Sequence, residues 1–240
     1  HRVMAIDRGE KEKVLNVSIS FNEEYIENWV CRRFIRFNNS GTSEYVRTAI
    51  LDGLKRLAYP SIERMVRSAL SEKAHESSID IFSMNLEKLL LQPPMKDKVI
   101  LGFDPAFRTG CKLAVIDASG KKLTVDVIYP HQPNAKVRES EQKLVQLCKE
   151  YHVNLIAIGN GTASRESEAF VANTIKKFNL PVSYTIVSEA GASVYSASKL
   201  AIEEFPDLHV EQRSDISIAR RLMDPLSELI KIDPQSIGVG

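Results

Sequence analysis

Apolar and polar positions divide the chain into two rhythms. Val14 to Ile19 alternates apolar with polar residues, which predicts a short strand. From Asn22 the spacing becomes helical, through Tyr25, Ile26, Trp29, Val30 and Phe34. Asn22 is the predicted N-cap, because its short acceptor can satisfy a first-turn amide, and Glu23 and Glu24 answer the helix dipole. Asn38-Asn39-Ser40-Gly41 predicts a break. Helical spacing resumes from Ser43 through Val46, Ile50, Leu54 and Leu57. Pro60 is expected to interrupt it. A new helix is predicted from Ser61 through Ile62, Val66, Ala69, Leu70 and Ala74, and a further run through Ile79, Phe82, Leu86 and Leu89 to Leu91. Pro93-Pro94 should stop it, since proline lacks an amide and restricts the residue before it. Residues 22–92 therefore predict an all-helical region, and the proline pair marks the expected boundary between residues 1–95 and 96–240.

Beyond the prolines the rhythm changes. Val99 to Phe103 is a compact apolar run suited to a buried strand, and Cys111 to Asp117 and Leu123 to Tyr129 predict two more strands. A helix is predicted over about Val137 to Tyr151, a fourth strand over Leu155 to Ile158, a helix over about Arg165 to Phe178 and a fifth strand over Ser183 to Val187. Short helices around Ser193 to Glu204 and a last helix over about Ile216 to Leu229 complete the chain. Three strands followed by alternating helix and strand form the RNase H-like order, whereas a simple doubly wound fold alternates from its start. The predicted class is α/β: an RNase H-like mixed sheet flanked by helices, preceded by an all-helical region.

Composition narrows the function classes. The 240 residues are 43% hydrophobic and 26% charged, ordinary values for a globular chain with material for a core. No apolar run approaches the roughly 18 residues of a membrane helix, and Asp7, Arg8 and Glu10 leave no room for a signal-peptide apolar region. His1 at the start and Gly240 at the end suggest a fragment of a longer protein. Cys31, Cys111 and Cys148 are odd in number and widely spaced, so free thiols in a reducing cytoplasm are expected rather than a zinc site or disulfide framework. Net charge is +1, with 14 Lys and Arg against 13 Asp and Glu over residues 1–95 and 18 against 18 over residues 96–240. Neither part is a basic domain. Strong sequence-independent nucleic-acid binding, which depends on neutralised phosphates, is thereby disfavoured for this chain alone.

Several ordered stretches carry a resemblance. They are Arg8-Gly-Glu-Lys11, Pro60-Ser-Ile-Glu-Arg64, Asn85-Leu-Glu-Lys-Leu-Leu-Leu-Gln-Pro-Pro94, Gly102-Phe-Asp-Pro-Ala-Phe-Arg-Thr-Gly-Cys-Lys112, Ile158-Gly-Asn-Gly-Thr-Ala-Ser-Arg-Glu166, Val187-Ser-Glu-Ala-Gly-Ala-Ser-Val-Tyr-Ser-Ala197, and Ser217-Ile-Ala-Arg-Arg-Leu222 leading into Lys231-Ile-Asp-Pro-Gln-Ser-Ile-Gly-Val-Gly240. Together they resemble the Tex family of bacterial transcription accessory proteins. The resemblance implies part of a helical N-terminal region followed by a YqgF-like, RNase H-type domain. It also implies helix-hairpin-helix and S1 parts beyond Gly240. Met65 departs from the family, which usually has an acid after Ser-Ile-Glu-Arg.

RNase H-like nucleases hold two divalent metals between acids and cleave a phosphodiester by in-line attack. Asp104, at the end of the first predicted strand, stands where the first metal ligand belongs, although it can equally cap the turn over Pro105 to Phe107. The fourth strand ends in Asn160 rather than an acid. Glu166 and Glu168 read as first-turn acids of the next helix. Glu189 follows the fifth strand at a position where the YqgF group often has an acid. On the last predicted helix Ala219 and Arg220 stand where a nuclease needs Asp, with Asp224 a turn later and Asp215 before the helix. Asp104, Glu189 and Asp224 are thus the catalytic candidates, with Asp104 the candidate metal ligand. The set looks incomplete, and carboxylates supply both charge and geometry for Mg²⁺. A catalytically inactive relative is expected, with no cofactor unless a residual Mg²⁺ site persists.

Gly159-Asn-Gly-Thr-Ala-Ser-Arg165 is a glycine-rich loop between strand and helix, readable as an anion cradle or as a tight turn with Thr162 or Ser164 as N-cap. It lacks the Gly-Lys-Ser/Thr ending of a P-loop. Arg108, Lys112 and Arg165, with Arg213, Arg220 and Arg221, are candidate nucleic-acid contacts. In an RNase H-like sheet the ends of strands one and four are neighbours, so the first three can share a face with Asp104. His131, His152 and His209 lack ligand spacing, and Ser193, Ser196 and Ser198 lack a His/Asp pattern for hydrolase chemistry. The leading expectation is a cytoplasmic, non-enzymatic module of a transcription accessory protein, associated with RNA or DNA mainly through parts outside this chain, and with the transcription machinery but not with membrane. An active Mg-dependent nuclease or resolvase of RuvC/YqgF type, or a scaffold positioning the S1 and helix-hairpin-helix domains, remain the alternatives.

Overall fold

The structure, a computed structural model, describes residues 1–36 and 40–238. The chain divides into two compact units, His1–Ser83 and Met84–Gly240. Of the predicted break, Asn38 and Asn39 lie outside the described residues, while Ser40 is a bend and Gly41 a turn.

The first unit is helical. A helix that the pattern did not predict, α1 (Arg2–Lys11), opens it. Arg67 donates to Asp7 and Glu10 on this helix, and Ser71 donates to Asp7. The predicted strand over Val14 to Ile19 does not form. Among the described residues no strand lies beside it to share a ladder, and the Ile19 N–H is taken by the Glu63 carboxylate at 3.0 Å. Helix α2 (Glu23–Phe34) begins as predicted, with the Asn22 side chain accepting from the Tyr25 N–H. Helix α3 (Ser43–Gly53) runs through a π turn, Leu54–Ala58, into the 32-residue helix α4 (Tyr59–Leu90). Pro60 therefore does not interrupt the chain's helical course. The wide turn before it removes the demand for the i→i−4 hydrogen bond that proline cannot make. The two predicted runs after Pro60 are one helix, which ends before Pro93-Pro94 as expected.

The second unit follows the predicted order. Strands β1 (Ile100–Asp104), β2 (Cys111–Ile116) and β3 (Lys122–Ile128) form an antiparallel meander. Helix α5 (Val137–Glu150) leads to β4 (Leu155–Gly159), and α6 (Ser164–Phe178) to β5 (Ser183–Val187). The sheet order is β3-β2-β1-β4-β5, with β4 parallel to both β1 and β5. This is the RNase H-like topology. Short helices α7 (Ala192–Ser196) and α8 (Lys199–Glu204) follow. The predicted last helix is two: α9 (Val210–Met223) and α10 (Pro225–Leu229), with Asp224 between them capping the second. Pro225 suits a first helical position and cannot sit inside a helix, so the break falls there.

Period-two alternation sorts each central strand onto two faces. Leu101, Phe103, Leu113, Val115, Ile156 and Ile158 join α5 and α6 in one core. Ile100, Ala114, Ile116 and Ala157 meet Ile216, Ile218 and Ala219 of α9 in the other. Each fully buried leucine or isoleucine contributes about 1.5–3 kcal/mol relative to exposure. Both cores therefore press α9 and the α5/α6 pair firmly onto opposite faces of the sheet. A third cluster joins Tyr195, Ala201, Leu229, Ile232 and Ile237 to Leu86, Leu89 and Leu90 at the end of α4. The three cysteines are free and buried, and no helix among the described residues is long and apolar enough to cross a membrane.

Candidate functional site

Alternation along β1 turns Asp104 to the face covered by α9, the face that also carries Ile100 and Gly102. Gly102 decides how near α9 approaches. A Cβ there would overlap the backbone oxygen of Asp215 and stand 3.1 Å from the Ala219 Cβ. With no side chain in the way, α9 lies directly on β1 and carries Asp215 to Asp104. The two carboxyl groups lie close enough for each to shift the other's ionisation. Asp215 is 1% exposed, and among the described residues no N–H or hydroxyl donates to either of its oxygens. Burial, followed by the charge of Asp104, pushes the Asp215 carboxyl well above its ordinary value. Burial also raises Asp104, opposed by the nearby Lys112 ammonium.

Lys112 lies directly opposite Asp104 in the β1–β2 register. It is only 8% exposed. Its Nζ donates to Thr109 Oγ1 at 2.7 Å and stands 3.6 Å from Glu211 Oε2 on the first turn of α9. The ammonium attracts both members of the acid pair.

Glu189 enters from the loop after β5. Its backbone N–H donates to Asn160 Oδ1 at 3.0 Å, and its carboxylate accepts from the Gly161 N–H. A Cβ on Gly161 would overlap Glu189 Oε1, and one on Gly159 would stand 2.7 Å from Glu189 Oε2. The glycine-rich loop thus cradles an anion that the chain itself supplies. Thr162 and Ser164 do not cap α6. Ala163 holds the N-cap position at φ 65° with no side-chain cap, a left-handed conformation that costs a non-glycine residue about 1–2 kcal/mol. Burial, and then the charge of Asp104, raises the Glu189 carboxyl.

The other candidates are dispersed. Asp224 does not join Asp104 and Glu189. Its oxygens accept from the Ser227 N–H and hydroxyl at the start of α10, which hold its carboxyl below the usual range. Glu166 lies in the first turn of α6 as expected. Arg220 donates to Gly120 O and Glu204 and stacks on Phe205. Arg221 is 3% exposed and donates to the carbonyls of Ser188 and Ala190, and burial lowers its pKa to about 10. Arg213 is buried against the carbonyls of Phe205 and Ser196. Lys112, Arg213, Arg220 and Arg221 are therefore held by the protein's own groups rather than presented to a phosphate. Arg108, in the β1–β2 loop, and Arg165, in the first turn of α6, are exposed and have no ion pair among the described residues. Both follow the C-terminal ends of adjacent parallel strands, β1 and β4. His131 is not a free surface residue: it is half-buried, with Nε2 2.8 Å from Ser167 Oγ.

Glu211, and Asp215, which the sequence placed just before the last helix rather than in it, are the acids left out of the candidate set. The available signal was the helical register of Asp215 with Ile218 and Ala219, hidden because the helix was predicted to start at Ile216. A two-metal centre needs several carboxylates converging with free oxygens. Here, among the described residues, Asp215 is buried with no donor to either oxygen, the Glu189 carboxylate is enclosed by the glycine-rich loop, and Lys112 lies opposite Asp104 in the sheet. Among the described residues no group of three or more His, Cys, Asp or Glu is placed to hold a metal ion. The residues do not fit such a centre.

The model of the Tex protein YqgF-like domain matches residues 98–223. Over its whole length the chain is 56% identical to YdcI of Bacillus subtilis, of which it spans 33%. It is likewise similar over its whole length to the transcriptional accessory protein Tex of Neisseria gonorrhoeae, at 42% identity and 32% of that protein. The human S1 RNA-binding domain-containing protein 1 is 40% identical, with 25% of its length spanned. The chain spans about a third of the length of the bacterial relatives it matches. The match begins two residues before β1 and ends at the last residue of α9, so it encloses the whole sheet and the acid pair. The chain belongs to the Tex protein YqgF-like domain family.

Proposed function

We propose that the RNase H-like unit is a nucleic-acid-associated, non-cleaving module of a cytoplasmic transcription accessory protein. One observation carries the non-cleaving part: among the described residues no group of three or more His, Cys, Asp or Glu is placed to hold a metal ion, and a buried lysine, Lys112, lies opposite Asp104 in the β1–β2 register. The nucleic-acid part is supported by Arg108 and Arg165, exposed at one end of two adjacent strands. It is also supported by relatives named for transcription and for RNA binding. Two arginines are a small electrostatic footprint, so binding by this chain is weak and salt-sensitive, and the remainder of the longer protein supplies most of the affinity. Residues 1–95 act as the helical part that joins this unit to it.

The test is incubation of the full-length protein with branched DNA and with RNA in Mg²⁺ or Mn²⁺. No cleavage above that of an Asp104→Asn variant is expected. Metal-dependent cleavage lost in that variant overturns the reading in favour of a nuclease. Retained folding with no binding of either nucleic acid by the full-length protein leaves a scaffold role instead.

A further inference from the structure

We propose that His131 is a positioning residue for nucleic-acid contact: it clamps the β1–β2 loop that carries Arg108 to the start of α6, which carries Arg165. The inference rests on the reading of these two arginines as phosphate contacts. The loop needs an anchor. Residues 105–109 make no backbone–backbone hydrogen bond among the described residues, so side chains must hold them. Two anchors come from β2 itself: the Cys111 thiol donates to Ala106 O at 3.5 Å, and the Lys112 ammonium to Thr109 Oγ1 at 2.7 Å. A third comes from elsewhere in the chain. Phe107, next to Arg108, meets the His131 ring edge to face, with centroids 5.8 Å apart. His131 is in turn held by α6: its Nε2 stands 2.8 Å from Ser167 Oγ, and its ring meets that of Phe170 at 6.5 Å. Ser167 is fully buried and lies two positions after Arg165. The segment bearing His131 is itself fixed at the start of α5. There Ser140 Oγ accepts from the Tyr129 N–H at 3.1 Å, and the Lys136 N–H donates to Tyr129 O at 2.6 Å. Consecutive Cα atoms are about 3.8 Å apart, so holding Phe107 sets where the Arg108 side chain starts. Burial lowers the His131 pKa. The ring is therefore uncharged at neutral pH and acts through position, not as a further cation. Without it the loop keeps only the anchors of its own hairpin, and ordering Arg108 on a phosphate costs more conformational entropy.

Two measurements on the full-length protein test the clamp and the contact separately. Limited trypsin digestion, mapped by mass spectrometry, reads the loop without nucleic acid. H131A should speed cleavage after Arg108 about fivefold or more, because local opening exposes the backbone, with cleavage in residues 1–83 unchanged. Titration with RNA and with branched DNA at several salt concentrations reads the contact. H131A should weaken binding about threefold or more and flatten its salt dependence, as R108A does, while H131A/R108A should bind no more weakly than R108A. An unchanged rate of cleavage after Arg108 overturns the proposal. So does a loss of full size when H131A is added to R108A, which is what a merely structural residue would give. If R108A itself leaves binding unchanged, the phosphate reading of Arg108 fails and takes the inference with it. If R108A weakens binding and H131A does not, the inference alone fails. Should H131A not fold, F107A breaks the same ring contact from its more exposed side and must give the same pair of results.

Discussion

Gly102 and Asp215 meet with no room for a single added methyl group between them: a Cβ on Gly102 would overlap the backbone oxygen of Asp215. This closeness, between the middle of a central strand and the middle of the helix laid across it, brings two acids near enough to influence each other's ionisation. It also sets the first expectation. Gly102→Ala forces α9 off β1 and should destabilise the second unit by about 1–3 kcal/mol, the usual cost of overpacking. Gly161→Ala meets the end of the Glu189 side chain rather than backbone and should cost less. Urea denaturation of both variants checks the order, and equal costs would contradict it.

Asp215 predicts a pH dependence. Its folded pKa is raised by burial and by Asp104, so the folded state holds the proton more tightly than the unfolded chain. Its favourable contribution is complete below the unfolded value of about 3.8 and is lost as pH rises from there through the raised folded value. Asp215→Asn removes the ionisation while keeping the shape. It should raise the melting temperature more at pH 8 than at pH 5, and a shift of equal size at both would show that the carboxyl does not titrate this way.

Arg108 and Arg165 predict a salt effect. Replacing both with Ala should weaken nucleic-acid binding by the full-length protein uniformly across sequences. It should also reduce the slope of log affinity against log salt by about 1 per arginine. Titrations at several salt concentrations measure both quantities, and an unchanged slope argues that neither side chain meets a phosphate.

The buried thiols predict low reactivity. Burial raises Cys111 and pushes Cys148 up to about 12. Since the thiolate is the reactive form, both should resist a disulfide reagent at pH 8 in the native protein and react once it is unfolded. Rapid native labelling at either position, mapped by mass spectrometry, would contradict the burial.

Hydrophobic periodicity by itself determined the order of strands and helices in the second unit, because each strand's apolar run and each helix's apolar stripe is a local property written in consecutive residues. It also determined the N-cap at Asn22 and the stop before Pro93. It placed Asp104 at the end of β1, and the ordered motifs around it carried the family. Where partners lie far apart in the chain, periodicity was silent. Val14 to Ile19 has the pattern of a strand but, among the described residues, no neighbouring strand to hydrogen-bond. Pro60 reads as an interruption until the preceding π turn absorbs its missing amide. The acid set was legible only in half: Asp224 seemed the later acid, yet it caps α10, while Asp215 reaches Asp104 because Gly102, 113 positions earlier, leaves space for α9. The glycine-rich loop seemed open to an outside anion, but Glu189 from after β5 fills it. Basic residue types announced cations without saying which were free. Tertiary packing gave Lys112, Arg220 and Arg221 internal partners and left Arg108 and Arg165 to solvent, because a charge carried into the interior must find its partner there.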